Sequence, residues 1–221
     1  MKCVIFDLDG TLADTSADLI FAANACFERR GFGPMLDPVA DKLTAFHGGR
    51  AMLKLGFSRI DPALGEDAVD SEYPYLLEVY GENIDRQTEL YPGVEISLMG
   101  LAAADYELGI CTNKPERLAE SLMQKLGIRG MFGSLVGADT LPVRKPDAAP
   151  YLEAVRRAGG DPKRSVLVGD TETDLLTARA AGVPVVLVGF GPEGPGIARL
   201  APDAVVASYA DLPSTVESLI G

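Results

Sequence analysis

Six short apolar runs, separated by segments of helical periodicity, constrain this chain more than any other feature. They lie at Lys2–Phe6, Glu107–Cys111, Ser134–Gly137, Val166–Gly169, Pro184–Val188 and Ala204–Ala207. All but the third are rich in Val, Ile and Leu, as parallel strands are when both faces are covered. Helical patterns fill the gaps, at about Ile96–Ala104, Pro115–Leu126, Ala148–Ala158, Thr173–Ala181 and Leu212–Leu219. Pro115 in a first turn and Gly127 after a last one are start and stop signals. Repeated strand–helix units predict an α/β fold with a doubly wound parallel sheet.

The stretch from about Thr15 to Glu89 departs from this pattern. Its helical periodicity covers Ala17–Arg30, Val39–Phe46, Gly49–Phe57 and Asp67–Tyr80, with no strand evident. The predicted organisation is a core formed by residues 1–14 and 90–221, with a helical insertion at 15–89 directly after the first strand. "ELYPGV", Glu89–Val94, returns the chain to the core through a Pro-Gly turn. "GFGPEGPG", Gly189–Gly196, reads as a loop near a sheet edge.

A chain of 221 residues, 47% apolar, can build a sizeable core with such an insertion. No apolar run approaches the roughly 20 residues of a membrane helix, and no basic-then-apolar leader is visible. Cys3, Cys26 and Cys111 form no plausible disulfide framework, so a reducing, cytoplasmic setting is expected. A formal net charge of −12 argues against a nucleic acid or an anionic membrane as partner. A small anion would need a locally positive pocket. With His47 the single histidine, carboxylates or lysine must handle any proton transfers.

Polar clusters end three of the apolar runs. In "VIFDLDGTLADT", Asp7 and Asp9 follow the first strand. Side chains at i and i+2 of an extended segment point the same way, so both carboxylates face one spot at a strand's carboxyl end, where α/β sheets place ligands. Two such charges call for a cation or a shared proton, and oxygen ligands favour Mg²⁺. A solvated Asp-Gly turn is the alternative. In "VLVGDTETDLL", Asp170 sits at another strand tip, and Asp174 opens a helix, where the macrodipole alone would favour it. In "LGICTNKPERL", Thr112 and Asn113 suit either a phosphate or a helix cap. Lys145, before Pro146, is a loop residue.

Taken together and in order, "DLDGT" (Asp7–Thr11), "TN" (Thr112–Asn113), Lys145–Pro146 and "GDTETD" (Gly169–Asp174) make the chain resemble the haloacid dehalogenase superfamily, most closely its phosphoglycolate phosphatase branch. The insertion resembles that family's small mobile cap, hinged near Ala13–Ser16 and Glu82–Pro92. The resemblance implies a Mg²⁺-dependent phosphomonoester hydrolase for a small phosphorylated metabolite. It implies Asp7 as nucleophile, forming an aspartyl-phosphate, and Asp9 as general acid and then base. Mg²⁺ would bind Asp7, the Asp9 carbonyl and Asp170. Asp174 would orient water or Lys145 without binding the metal, and Thr112, Asn113 and Lys145 would hold the phosphoryl oxygens. Arg50, after the Gly48-Gly49 pair, is a candidate for a substrate carboxylate; a solvated Arg is the alternative. Lys42 and Lys54 read as solvated, His47 as surface or packing, and Tyr73, Tyr75 and Tyr80 as packing. A phosphomutase shares this core and cap. A receiver-type signalling domain shares the acidic strand tips but lacks the insertion. Either a monomer or a homodimer is compatible with the sequence.

Overall fold

A computed structural model describes residues 1–221. Six strands form one parallel sheet: β1 (Cys3–Phe6), β4 (Glu107–Cys111), β5 (Ser134–Val136), β6 (Ser165–Gly169), β7 (Val185–Val188) and β8 (Ala204–Val206). Two-residue strands, β2 (Ala13–Asp14) and β3 (Glu89–Leu90), lie between β1 and β4 in the chain. The main sheet runs β5-β4-β1-β6-β7-β8. β1 is therefore the point where successive strands stop adding on one side and start adding on the other, the place where open α/β sheets bind ligands.

The chain divides into two compact units, one of Met1–Ala13 with Leu90–Gly221 and the other of Asp14–Glu89. In the first, the apolar strand residues are almost wholly buried. Cys3 and Ile5 of β1 and Leu167 of β6 share one cluster with Tyr151 and Val155. Both of the latter belong to helix α7 (Ala148–Ala158). Alternation sends Val4, Phe6, Val166 and Val168 to the opposite face, equally buried. Gly109 in β4 is required by packing, since a Cβ there would lie 2.4 Å from the Ser134 hydroxyl and 2.7 Å from Ile5. Three further helices flank the sheet, α5 (Val94–Ala103), α6 (Glu116–Lys125) and α9 (Leu212–Ile220), and α8 (Glu172–Ala181) follows β6 directly. The run expected as a loop at Gly189–Gly196 is one only in part, because Gly194–Leu200 winds into a 3₁₀ helix.

The second unit is helical: α1 (Ser16–Arg29), α2 (Lys42–Phe46), α3 (Gly49–Ile60) and α4 (Glu66–Glu82). α1 meets α3 where Gly56 leaves room for Phe27; a Cβ there would lie 2.1 Å from that ring. Phe27 and Phe57 pack edge to face at 5.1 Å. Buried Asp18 accepts from the Gln87 and Thr88 amides and the Thr88 hydroxyl, tying the start of α1 to the segment after α4. The helix expected from Val39 begins only at Lys42. The Asp37 carboxylate takes the Val39 and Ala40 amides in a local turn, which competes with helix formation. Lys42 is not merely solvated, because its ammonium lies 2.6 Å from Asp14. No helix is long and apolar enough to cross a membrane.

Candidate active site

β1, β4 and β6 end side by side, and their terminal residues build a polar cluster on the first unit. Asp7 still donates its amide to the Val168 carbonyl at 2.9 Å, so the ladder fixes its backbone. Its carboxylate accepts from the Leu8 amide at 2.7 Å through Oδ1. Oδ2 lies 2.9 Å from the ammonium of Lys145. The chain then turns tightly: Gly10 adopts φ +81°, open to glycine at little cost, and donates to the Ala13 carbonyl. The turn presents the Thr11 hydroxyl to Asp170 Oδ1 at 2.7 Å, while the Tyr209 hydroxyl donates to the Thr11 carbonyl at 2.8 Å.

Asp170 and Asp174 come from the β6–α8 junction. Thr171 caps α8 with its side chain and Asp174 completes a reciprocal capping box. Asp174 does more than cap. Its Oδ2 accepts from the Thr171 hydroxyl and the Thr171 and Asp170 amides, whereas Oδ1 accepts from Lys145 Nζ at 2.7 Å. One carboxylate thus both caps α8 and pairs with Lys145. Gly169 is needed for this, because a Cβ there would lie 2.4 Å from the Asp174 carboxyl carbon. Gly191 closes in from the other side, where a Cβ would sit 2.9 Å from the Gly10 carbonyl.

Lys145, 3% exposed, is held between Asp7 and Asp174. Burial opposes its charge, but the two carboxylates outweigh burial and raise its hold on the proton. Burial pushes the Asp7 carboxyl up to about 6, against the pull of Lys145 and with Asp174 and Asp9 adding to the rise. Burial, followed by Asp174 and Asp7, raises Asp170 well above the ordinary carboxylate range. One carboxylate oxygen from each of Asp7, Asp170 and Asp174 lies within 4.8 Å of the others. Asp170 Oδ2 is buried without a hydrogen-bond partner. An orphaned carboxylate oxygen, hard oxygen donors and carboxyls disfavoured as anions fit a divalent cation. Asp174 already takes four donors, against one on each oxygen of Asp7 and one on Asp170, which leaves Asp7 and Asp170 as the less committed carboxylates.

The third strand tip behaves differently from a helix cap. α6 starts after Pro115 with no side-chain cap, and the Thr112 hydroxyl instead accepts the Lys114 amide at 3.2 Å. Asn113 donates through Nδ2 to the Lys145 carbonyl, linking the loops after β4 and β5. Thr112 is thus joined to Lys114, and Asn113 to Lys145, whose ammonium lies in the cluster. Sequence reasoning passed over Lys114. Its ammonium lies 2.7 and 2.8 Å from the two oxygens of Asp9. The pattern "TNKP" held that residue, but nothing local signals a pairing across 105 positions. Tyr209 was missed for the same reason.

Arg50 and His47 belong to the other unit. Arg50 pairs with Asp70 at 2.6 Å and stacks over Tyr73, with both members of the pair about half exposed. His47 is exposed and Lys54 pairs with Glu66.

Comparisons with known proteins bear on the family of the chain. The family model described as haloacid dehalogenase-like hydrolase matches residues 4–188. A phosphoglycolate phosphatase of Agrobacterium fabrum is 38% identical over 219 residues, covering 98% of this chain and 93% of the relative. One of Chromobacterium violaceum is 39% identical, covering 96% and 95%. Among solved structures, a "predicted phosphoglycolate phosphatase" from Haemophilus somnus superposes with a TM-score of 0.85 at 28% identity, covering 97% of both chains.

Proposed function

The chain belongs to the haloacid dehalogenase-like hydrolase family, and on that footing we propose that it is a phosphatase acting on a small phosphomonoester, with 2-phosphoglycolate foremost. The relatives named phosphoglycolate phosphatase support the substrate. One observation carries the reaction: Asp7, Lys145 and Asp170 meet in a single buried cluster with an orphaned carboxylate oxygen.

In this reading an Asp7 oxygen attacks phosphorus. The P–O bond to the leaving alcohol breaks, and the Asp9 carboxyl gives its proton to that alcohol. The resulting aspartyl-phosphate is attacked by water, whose proton returns to Asp9, releasing inorganic phosphate and free Asp7. Lys145, Thr112 and the Asn113 amide hold the phosphoryl oxygens, where charge develops. Asp174 keeps the Lys145 ammonium aimed at Asp7. Mg²⁺, held by Asp7, Asp170 and the Asp9 carbonyl, would supply the positive charge that lets a phosphate approach these carboxylates. The helical unit would serve as a cap that limits access to water, with Arg50 as one of its candidates for substrate contact.

The test is a phosphate-release screen over small phosphomonoesters. The wild type with Mg²⁺ should prefer 2-phosphoglycolate, EDTA should stop release and Mg²⁺ restore it. Asp7→Asn should fall to background with its circular dichroism unchanged. Continued hydrolysis by Asp7→Asn, or an undiminished rate after metal removal, would refute the mechanism.

A further inference from the structure

Lys114 has no place in the mechanism above, yet its side chain is only 3% exposed and its ammonium bridges both oxygens of Asp9. A buried ammonium is costly and uncommon. This one is also aimed: the Lys114 amide is tied to the Thr112 hydroxyl and its carbonyl accepts the Ala138 amide. Fixing Asp9 alone would need only a neutral donor.

The charges around the site suggest a further use. Asp7, Asp9, Asp170 and Asp174 face two ammoniums, Lys114 and Lys145. Lys145 is committed to Asp7 and Asp174, on the phosphoryl side. An anionic group on the leaving alcohol would therefore meet Asp9 with Lys114 as the cation beside it. The distances match. Proton transfer requires the leaving oxygen within roughly 3 Å of the Asp9 carboxyl. Since Lys114 Nζ touches the same carboxyl, it lies within about 6 Å of that oxygen. A carboxylate on the carbon next to the ester oxygen falls inside that radius, and a flexible lysine stem can turn the ammonium from Asp9 toward it.

We propose that Lys114 is a specificity residue that recognises a carboxylate on the leaving alcohol, sharing its ammonium between Asp9 and the substrate. The proposal rests on the phosphatase reading. Unlike Arg50, which pairs with Asp70 in the helical unit, Lys114 acts from the same loop that holds the phosphoryl group.

The experiment compares 2-phosphoglycolate with ethyl phosphate, which keeps the two-carbon leaving group and lacks the carboxylate. In the Mg²⁺-loaded wild type, kcat/KM should favour 2-phosphoglycolate. Lys114→Gln and Lys114→Met should lower that preference at least about tenfold, mainly through KM, as expected for one lost charge-assisted contact. Lys114→Arg should recover part of it. In the inert Asp7→Asn background, Lys114→Gln should weaken calorimetric binding of 2-phosphoglycolate and leave that of ethyl phosphate unchanged. A loss equal for both substrates would show that Lys114 only positions Asp9 and would overturn the proposal. So would a wild type indifferent to the carboxylate, though hydrolysis itself would then stand. Release of phosphate from no monoester at all would instead remove the phosphatase reading, and the proposal with it.

Discussion

Asp174→Asn keeps the shape of a buried side chain and removes one acceptor. The carboxylate serves two sets of donors, with Lys145 on Oδ1 and the Thr171 hydroxyl and two amides on Oδ2. An amide has one acceptor oxygen. Turning its NH₂ toward Lys145 would oppose two donors, one of them a buried ammonium. It must therefore turn toward the start of α8, where the Thr171 hydroxyl can rotate to accept but two amides lose their partner. The Coulomb terms decide little. At an effective dielectric of about 20, the lost attraction to Lys145 is roughly 6 kcal/mol. Relief of repulsion from Asp7 and Asp170 returns a similar total, roughly 3–4 kcal/mol each. What remains is the cap, about 1 kcal/mol, and the exchange of a charged for a neutral acceptor at Lys145, about 1–2 kcal/mol. The expected cost is about 2–3 kcal/mol, or roughly 4–12 °C in Tm for a chain of this size. Differential scanning calorimetry of metal-free wild type and variant, at one pH near neutrality, measures it. Thr171→Ala should show only the capping part. A loss below about 0.5 kcal/mol for Asp174→Asn would refute the claim that two donor sets compete for one carboxylate.

Two further outcomes follow from buried groups elsewhere. In the helical unit, two hydrogen bonds of 2.6 Å from Arg59 outweigh burial and, with the Asp37 amide, hold the Asp41 carboxyl below its ordinary 3.8. A lowered folded value means the contribution is complete above 3.8 and is lost as pH falls through the folded value. Acid melting should therefore steepen below about pH 4, and Asp41→Asn should flatten that part of the curve while lowering Tm at neutral pH; an unchanged acid limb would count against the pair. Burial pushes the thiols of Cys3, Cys26 and Cys111 each up to about 12. The native protein should not react with Ellman's reagent at pH 8, whereas three thiols should titrate in guanidinium; rapid native labelling of any one would contradict its burial.

The strand tips were legible because each is a local event, an apolar run that stops at a carboxylate or hydroxyl. Asp7, Thr112 and Asp170 needed only that pattern and the rule that parallel strands end together. The turn chemistry at Asp37 was harder, since Val39–Phe46 carries helical periodicity and only the side-chain hydrogen bonds to Val39 and Ala40 delay the helix. Lys114 and Tyr209 were illegible for a different reason. Their partners, Asp9 and Thr11, lie 105 and 198 positions away. A lysine before Pro115 and a tyrosine before α9 look like surface and core residues until the sheet order brings them to β1. Arg50 stood out locally by the glycine pair before it, whereas its ion pair with Asp70, 20 positions on, was not legible.

The position of β1 at the centre of the sheet has a consequence for how the protein is made. Its two neighbours, β4 and β6, begin about 100 and 160 residues later in the chain. At ribosomal speeds of about 5–20 residues per second, the second neighbour appears roughly 8–30 s after β1. Until β4 emerges "CVIF" has both edges open, and until β6 emerges it still has one, the kind of apolar segment that chaperones or other nascent chains capture. The helical unit, complete at Glu89, precedes β4 and can fold while β1 waits. The segment bearing Asp7 is thus exposed early and enclosed late, once β6 has been made.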